Sequence, residues 1–322
     1  MGGYLTDITG IKVGHFTSLL RPTGCTAILV ERGAIAGVDV RGGAPGTRET
    51  DLLKPTSTIQ MVHAITLSGG SAFGLDSATG VMQFLAEKNI GFDVKVAKVP
   101  IVPAAVIFDL NLGDSPIYPT ASDGYEAAKL AVRGPFATGN VGAGAGATVG
   151  KIFGFERATR GGLGTASIKM GNLVVAALVV VNAAGDIIDP ETGWRVAGAL
   201  SDSRDTLMDI MSAIRDGKRP NIFAGQNTTL GVVATNARLT KTEATKLAEM
   251  AHAGLARTIN PVHTPFDGDT IFALSTSDYS HAVDLLILGS LAADVVANAV
   301  LNAVQTAEPY ESIPAARDLI RL

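Results

Sequence analysis

The sequence predicts an α/β protein in which sheets pack on one another with helices outside them. Short apolar runs gather in groups along the chain and helical stretches gather separately, unlike the strict alternation of βαβ units. Hydrophobic residues fill 47% of the 322 positions and charged residues only 17%, which supports a large core and extensive buried interfaces. Aromatic residues reach 5% while glycine alone numbers 37, so neighbouring layers can approach closely. This length suits one large domain or two ordinary ones. With no internal repeat and no low-complexity linker, a single domain over residues 1–322 is expected.

Three runs open the chain as strands: "CTAILV" (25–30), "AIAGVDV" (34–40) and "VHAITL" (62–67), each bounded by Gly, Pro or charge. "SGGSAFGLDSATGVMQFLAEKNIG" (68–91) reads as a glycine-rich turn entering a helix, with Ser71 as its cap and Gly91 at its end. In "VPIVPAAVIFDL" (99–110), Pro100 and Pro103 reduce the start to an edge or loop. "GTASIKM" and "LVVAALVVVN" then form two strands joined by a Met-Gly-Asn turn, the second ending at Asn182. A helix is expected over 201–217, a strand over 229–235, a helix over 240–257, a strand over 270–276 and a long helix over 280–306. The most apolar stretch (284–304) carries Asp294, Asn298 and Asn302 at spacings of four, on one helix face, which reads as a buried helix rather than a membrane span.

Several functions are disfavoured by composition. Net charge is -4 with no long run of like charge, so neither a nucleic-acid surface nor a polybasic membrane anchor is indicated. The lone Cys25 excludes an internal disulfide and a cysteine-rich zinc site. The N-terminus lacks the basic start and apolar core of a signal peptide, and the cytosol is the expected compartment. The five histidines show no metal-binding spacing; only His263, beside "PFDGDT", is held as a possible site residue. "GNVGAGAGATVGKIFG" (139–154) fails as a phosphate loop, because Ala145 stands where the first glycine belongs and Ile152 where Ser or Thr should follow the lysine. Its Gly142, Gly144 and Ala147 fit a dinucleotide pattern but follow no strand. "LSGGSAFG" resembles a nucleophile elbow, yet Phe73 occupies the second glycine position.

Two short stretches carry more. Asn227, Thr228 and Thr229 stand directly before the apolar "LGVVA". One reading is a turn feeding a strand, since Asn suits turns and Thr favours strands. The other is a backbone cut between Asn227 and Thr228, which would free a threonine with hydroxyl and amine together. "DGD" (267–269) places the carboxylates of Asp267 and Asp269 at i and i+2, on one face of an extended segment. Like charges that close raise one pKa unless a cation lies between them, and a new N-terminal ammonium would be such a cation.

Taken in order, "LSGGSAFGLDSATGV", "VPIVPAAVIFDL", "GNVGAGAGATVGK", "NTTLGVVATNA" and "GLARTINPVHTPFDGDTIFALST" resemble the DmpA-type peptidases related to L-aminopeptidase/D-esterase. That family includes β-aminopeptidases and the endo-type hydrolases of 6-aminohexanoate (nylon) oligomers, to which the motifs are most similar. The resemblance spans nearly the whole chain. It implies a four-layer αββα sandwich of the N-terminal-nucleophile-hydrolase kind, self-cleavage into an α chain (1–227) and a β chain (228–322), and a tetramer of such heterodimers. It implies an amide hydrolase acting on a small peptide or oligoamide, with no cofactor, metal, nucleic-acid or membrane partner. By the same resemblance Thr228 is the nucleophile, Asn182 the oxyanion-side asparagine, Lys151 the catalytic lysine, and Asp267 and Asp269 the paired aspartates. Where the family often carries a tyrosine in a "VIYD"-like segment, this chain has Phe108, which bears on the substrate pocket. An acyltransferase of the ornithine acetyltransferase type would share the self-cut logic, although its Ala-Thr junction is missing. A non-catalytic ligand-binding scaffold would keep the chain whole.

Overall fold

The protein is described here by a computed structural model covering residues 2–113, 116–223 and 225–319. Nine strands join in one mixed sheet: β1 (Lys12–Thr17), β2 (Gly24–Val40), β3 (Thr47–Arg48), β4 (Met61–Ser68), β5 (Ala104–Val106), β6 (Gly162–Met170), β7 (Leu173–Asn182), β8 (Thr228–Thr235) and β9 (Thr270–Ser275). Their order is β6-β7-β8-β9-β2-β4-β5-β3, with β1 also paired to β2. The β8–β9 and β4–β5 pairs are parallel and the others antiparallel. The helices are α1 (Ser77–Glu87), α2 (Ala121–Lys129), α3 (Ile210–Arg215), α4 (Lys241–Thr258) and α5 (Leu285–Gln305).

The sheet folds over on itself, and the strand alternation shows how. In β7, Val175, Ala177, Val179 and Val181 pack with Leu247, Leu255, Val296 and Val300 of α4 and α5. The intervening Val174, Ala176, Leu178 and Val180 face an inner cluster with Leu230 and Val232 of β8, Phe272 of β9, Ile28 of β2, and Ile65 and Leu67 of β4. Cys25, Ala27 and Leu29 of β2 face the opposite way, onto Val81, Leu85 and Ala127 of α1 and α2. Three stacked cores therefore separate four layers: α4 and α5, one half-sheet, the other half-sheet, and α1 with α2. This is the αββα sandwich. A strand buried on both faces needs apolar residues at every position, which is why β7 reads as an unbroken apolar run.

β2 is the hinge between the halves. Ile35 to Val40 pair with β9 in one half, and Gly24 to Leu29 pair with β1 in the other. The two strands expected at 25–30 and 34–40 are thus one, because the polar Glu31-Arg32-Gly33 segment is a register shift rather than a turn. Gly33 takes a left-handed φ of 82° there, open to glycine at little steric cost.

Other expectations need correction. The helix placed over 201–217 is only α3. Upstream of it, Ser201, Ser203 and Thr206 bond to one another through their hydroxyls, and the N-cap is Asp209, whose carboxylate accepts from Ser212 N at 2.9 Å. Short polar side chains compete with helix in this way. Ser71 caps nothing: it has φ 54° and opens a 3₁₀ turn over Ser71–Asp76 that precedes α1. α1 stops at Glu87, with Asn89 rather than Gly91 taking the left-handed turn. α2 was not foreseen. Its Gly124 lies where a Cβ would come within 1.8 Å of Ser77 O, so the glycine allows close helix packing instead of breaking the helix. α5 begins at Leu285, capped by Asp284. By length and apolarity α5 could cross a bilayer, but half of its most apolar stretch is buried here, and Asn302 Oδ1 accepts from Thr165 N at 3.0 Å.

Candidate active site

Strand register assembles the candidate residues. Antiparallel pairing of β7 and β8 runs from Val175 opposite Thr235 to Asn182 opposite Thr228, so the last residue of one strand meets the first of the other. Parallel pairing of β8 and β9 sets Leu230 beside Thr270, and the "DGD" segment just ahead of β9 continues along the segment ahead of β8, where Asn227 bridges Asp267. Thr228, Asn182, Asp267 and Asp269 therefore gather at one sheet end. All four are at most 3% exposed.

The Asn227 carbonyl accepts two hydrogen bonds, one from Thr228 Oγ1 at 2.6 Å and one from Gly268 N at 2.8 Å. The second donor was missed in the sequence, which drew attention to the aspartates on either side. A Cβ on residue 268 would come within 2.7 Å of Thr228 Oγ1 and 2.9 Å of Ala44 O. Only glycine lets this amide approach. The Asn227 side chain is buried with no hydrogen-bond partner for Oδ1 or Nδ2 among the described residues.

Lys151 reaches the same place from the loop after the short strand Thr148–Val149. Its Nζ donates to Asn182 Oδ1 at 2.7 Å, Asn182 O at 3.2 Å and Gln226 O at 3.3 Å. All three acceptors are neutral. Burial without a bonded carboxylate pushes the Lys151 ammonium down to about 7, against the weaker pull of the Asp267 and Asp109 charges. Near neutrality this amine can accept or release a proton.

Asn182 is held on every side. Its Oδ1 also accepts from Thr148 N at 3.1 Å, and its Nδ2 donates to Phe108 O at 3.0 Å and Gln226 O at 3.4 Å. The amide points at the peptide preceding Asn227 rather than at the Asn227 carbonyl. Phe108 joins the site through this backbone oxygen.

The aspartates divide their work. Asp269 Oδ1 accepts from Thr229 N at 2.7 Å, and its Oδ2 accepts from His263 N at 3.1 Å and contacts His263 Nδ1 at 2.8 Å. Asp267 Oδ2 accepts from Thr264 N at 2.6 Å. Burial first, and the neighbouring Asp269 charge second, push the Asp267 carboxyl up to about 6. Neither carboxylate bonds Thr228 itself in this continuous chain. His263, with a left-handed φ of 55°, is thus brought to the site as the partner of Asp269. Its ring meets that of His252 edge to face at 4.8 Å. Among the described residues no group of three or more His, Cys, Asp or Glu is arranged to hold a metal ion.

Comparison with known proteins identifies the family and the fold. The sequence profile described as Peptidase family S58 matches residues 4–316. An uncharacterized aminopeptidase of Mycobacterium bovis is 40% identical over 98% of this chain and 97% of its own length. A 6-aminohexanoate-oligomer endohydrolase of Paenarthrobacter ureafaciens is 33% identical over 92% of this chain and 84% of its own. The L-aminopeptidase D-Ala-esterase/amidase of Ochrobactrum anthropi, an Ntn-hydrolase fold, superposes with a TM-score of 0.72 at 20% identity, covering 98% and 92% of the two chains.

Proposed function

The chain belongs to peptidase family S58, whose members hydrolyse amide bonds, and from that premise we propose that it is a self-processing amidohydrolase with Thr228 as nucleophile. The observation that carries the reading is the carbonyl of Asn227 held between Thr228 Oγ1 and Gly268 N. In the first step Oγ1 adds to that carbonyl carbon, the C–N bond breaks, and the hydroxyl proton passes to the departing nitrogen. Lys151, buried and titrating at about 7, carries this proton when neutral. Gly268 N–H offsets charge developing on the oxygen, a contribution typically worth about 3 kcal/mol per donor. Water then splits the ester, leaving Asn227 as a carboxylate and Thr228 with a free amine.

The mature enzyme is then two chains, 1–227 and 228–322. The new amine has a reference pKa of about 8 and acts as base for its own hydroxyl. Asp269, already on the adjacent amide, and Asp267 supply the anionic surroundings that hold it. Asn182 Nδ2, placed against the upstream peptide by Lys151 and Thr148, becomes available to a substrate acyl oxygen once that peptide withdraws. The substrates are amides of peptides or of 6-aminohexanoate oligomers. A second reading, aminopeptidase or β-aminopeptidase action on small natural peptides, is supported by the 40% identity to an uncharacterized aminopeptidase. Both readings include a tetramer of αβ heterodimers in the cytosol, which sedimentation and fractionation would check.

Turnover of amino-acid anilides, β-peptides and linear 6-aminohexanoate oligomers by processed protein tests the proposal, with product lengths separating end-wise from internal cleavage. Hydrolysis of at least one class that vanishes in Thr228→Ala is expected. Undiminished hydrolysis by Thr228→Ala would sink it.

A further inference from the structure

His263 stands at the candidate site, yet the proposed reaction gives it no role. It lies in the loop ahead of β9, at a left-handed φ of 55° that disfavours any residue carrying a Cβ. Glycine would take that turn without strain, so whatever histidine contributes here comes from its ring. The turn aims two donors at one oxygen: His263 N lies 3.1 Å and Nδ1 2.8 Å from Asp269 Oδ2. Opposite a carboxylate oxygen, Nδ1 carries a proton. Nε2 is closed to solvent and has no partner among the described residues. The ring therefore has no path along which to take a proton from a substrate, and its polar action falls on Asp269.

The groups behind the ring do not compete for it. His252 of α4 meets it edge to face at 4.8 Å, and His252 Nε2 lies 3.1 Å from Asp39 O in β2. Burial pushes the His252 imidazole down to about 4, which leaves it neutral near pH 7. The Asp39 carboxylate pairs with Arg41 at 2.6 Å. The two oxygens of Asp269 are thereby given separate work. Oδ2 takes both His263 donors, while Oδ1 accepts at 2.7 Å from Thr229 N, the amide beside the nucleophile. A carboxylate anchored through Oδ2 cannot turn about its Cβ–Cγ bond without breaking those bonds. Asp267, whose Oδ2 accepts from the backbone of Thr264 at 2.6 Å, has no such side-chain clamp among the described residues.

We propose that His263 is a positioning residue, its Nδ1–H locking the Asp269 carboxylate so that Oδ1 faces the amine freed on Thr228. The inference rests on the Thr228 reading and deepens it. An amine that serves as base for its own hydroxyl has to keep one orientation, and a fixed anion beside it sets that orientation.

His263→Gly and His263→Asn, in protein incubated to allow self-cleavage, provide the test. Glycine suits the turn and keeps the backbone donor while removing Nδ1–H. Asparagine tolerates the same turn and places a side-chain N–H close to where Nδ1–H stood. Steady-state kinetics are taken per cleaved chain, counted by intact mass. The substrate is whichever of an amino-acid anilide, a β-peptide or a linear 6-aminohexanoate oligomer the wild type hydrolyses. In His263→Gly kcat should fall at least about tenfold with KM changed by less than about twofold, as for a misplaced base. The thermal midpoint should change little, and His263→Asn should recover most of kcat. Unchanged kcat in His263→Gly, a rise in KM alone, or no recovery in a folded His263→Asn would overturn the proposal. If His263→Gly fails to fold, His263→Asn decides: near-wild-type kcat supports the role and a loss of about tenfold overturns it. Thr228→Ala run in parallel separates the two levels. Turnover kept by Thr228→Ala defeats the nucleophile assignment and this inference with it. Turnover lost there but unchanged in His263→Gly removes His263 alone.

Discussion

Two buried cations, Arg21 and Lys151, show how the same burial can produce opposite chemistry. Arg21 donates Nε to Leu112 O at 2.6 Å, Nη1 to Ile117 O, and Nη2 to the carbonyl and carboxylate of Asp109, while Asp109 accepts further bonds from Thr23 and Gly70. Lys151 has three donors too, but they meet only amide oxygens. The first group sits in a satisfied network that includes a bonded carboxylate. The second has lost water without gaining a bonded anion, and its proton is held loosely, at about 7. Burial with only neutral partners is what lowers a cation's pKa, and that shift is the ground on which Lys151 is proposed as the proton carrier.

The largest effect that would break this contrast lies on the satisfied side. Asp109→Asn leaves the Arg21 charge buried against a neutral amide, and removal of one member of a buried pair typically costs about 3–5 kcal/mol. Urea unfolding should show that loss. A change below about 1 kcal/mol would mean that the pair is not the structural anchor described.

Lys151→Met should act the other way round. Self-cleavage should slow by about a hundredfold or more, as expected when a positioned proton carrier is removed, with stability unchanged or improved near neutral pH. The sign follows from linkage. Between about 7 and 10.5 the unfolded chain keeps a proton on Lys151 that the folded chain has lost, so this residue makes stability rise with pH across that window. Methionine should flatten the rise. A wild-type curve that falls with pH over the same window, with no slope lost in the variant, would contradict the assigned pKa.

Asp267→Asn tests the smallest term. The Asp267 charge is the leading influence holding the Lys151 pKa up, so its removal should let the pKa fall further. The rising limb of the self-cleavage rate against pH should move to lower pH, by about one unit or less. A move to higher pH would show that Asp267 acts on a different group.

Much of this site was legible in the sequence, but unevenly. The unbroken run from Leu173 to Asn182 announces a strand buried on both faces, and the Asn227-Thr228 junction ahead of "LGVVA" places the candidate cut at a strand mouth. Asp267 and Asp269 could be paired from spacing alone. Lys151 and Asn182 required the family resemblance, since their meeting depends on loop and strand ends 31 positions apart. Gly268 N was invisible because its role depends on the tertiary contact that brings it to the Asn227 carbonyl. The hinge of β2 was misread for a related reason. Glu31-Arg32-Gly33 looks like a turn locally, and only pairing of its two ends with different half-sheets keeps the strand continuous. The missed α2 shows the same limit, for Gly124 weakens helix propensity but is required by the Ser77 backbone against it.

The most direct test of the central claim is the intact mass of the denatured protein after incubation above pH 7, for wild type and for Thr228→Ala. Wild type should resolve into two chains whose masses correspond to residues 1–227 and 228–322, and Thr228→Ala should remain a single chain of 322 residues. A wild-type chain that stays whole under those conditions, or a Thr228→Ala chain cut at the same junction, would contradict the assignment of Thr228 as the self-processing nucleophile.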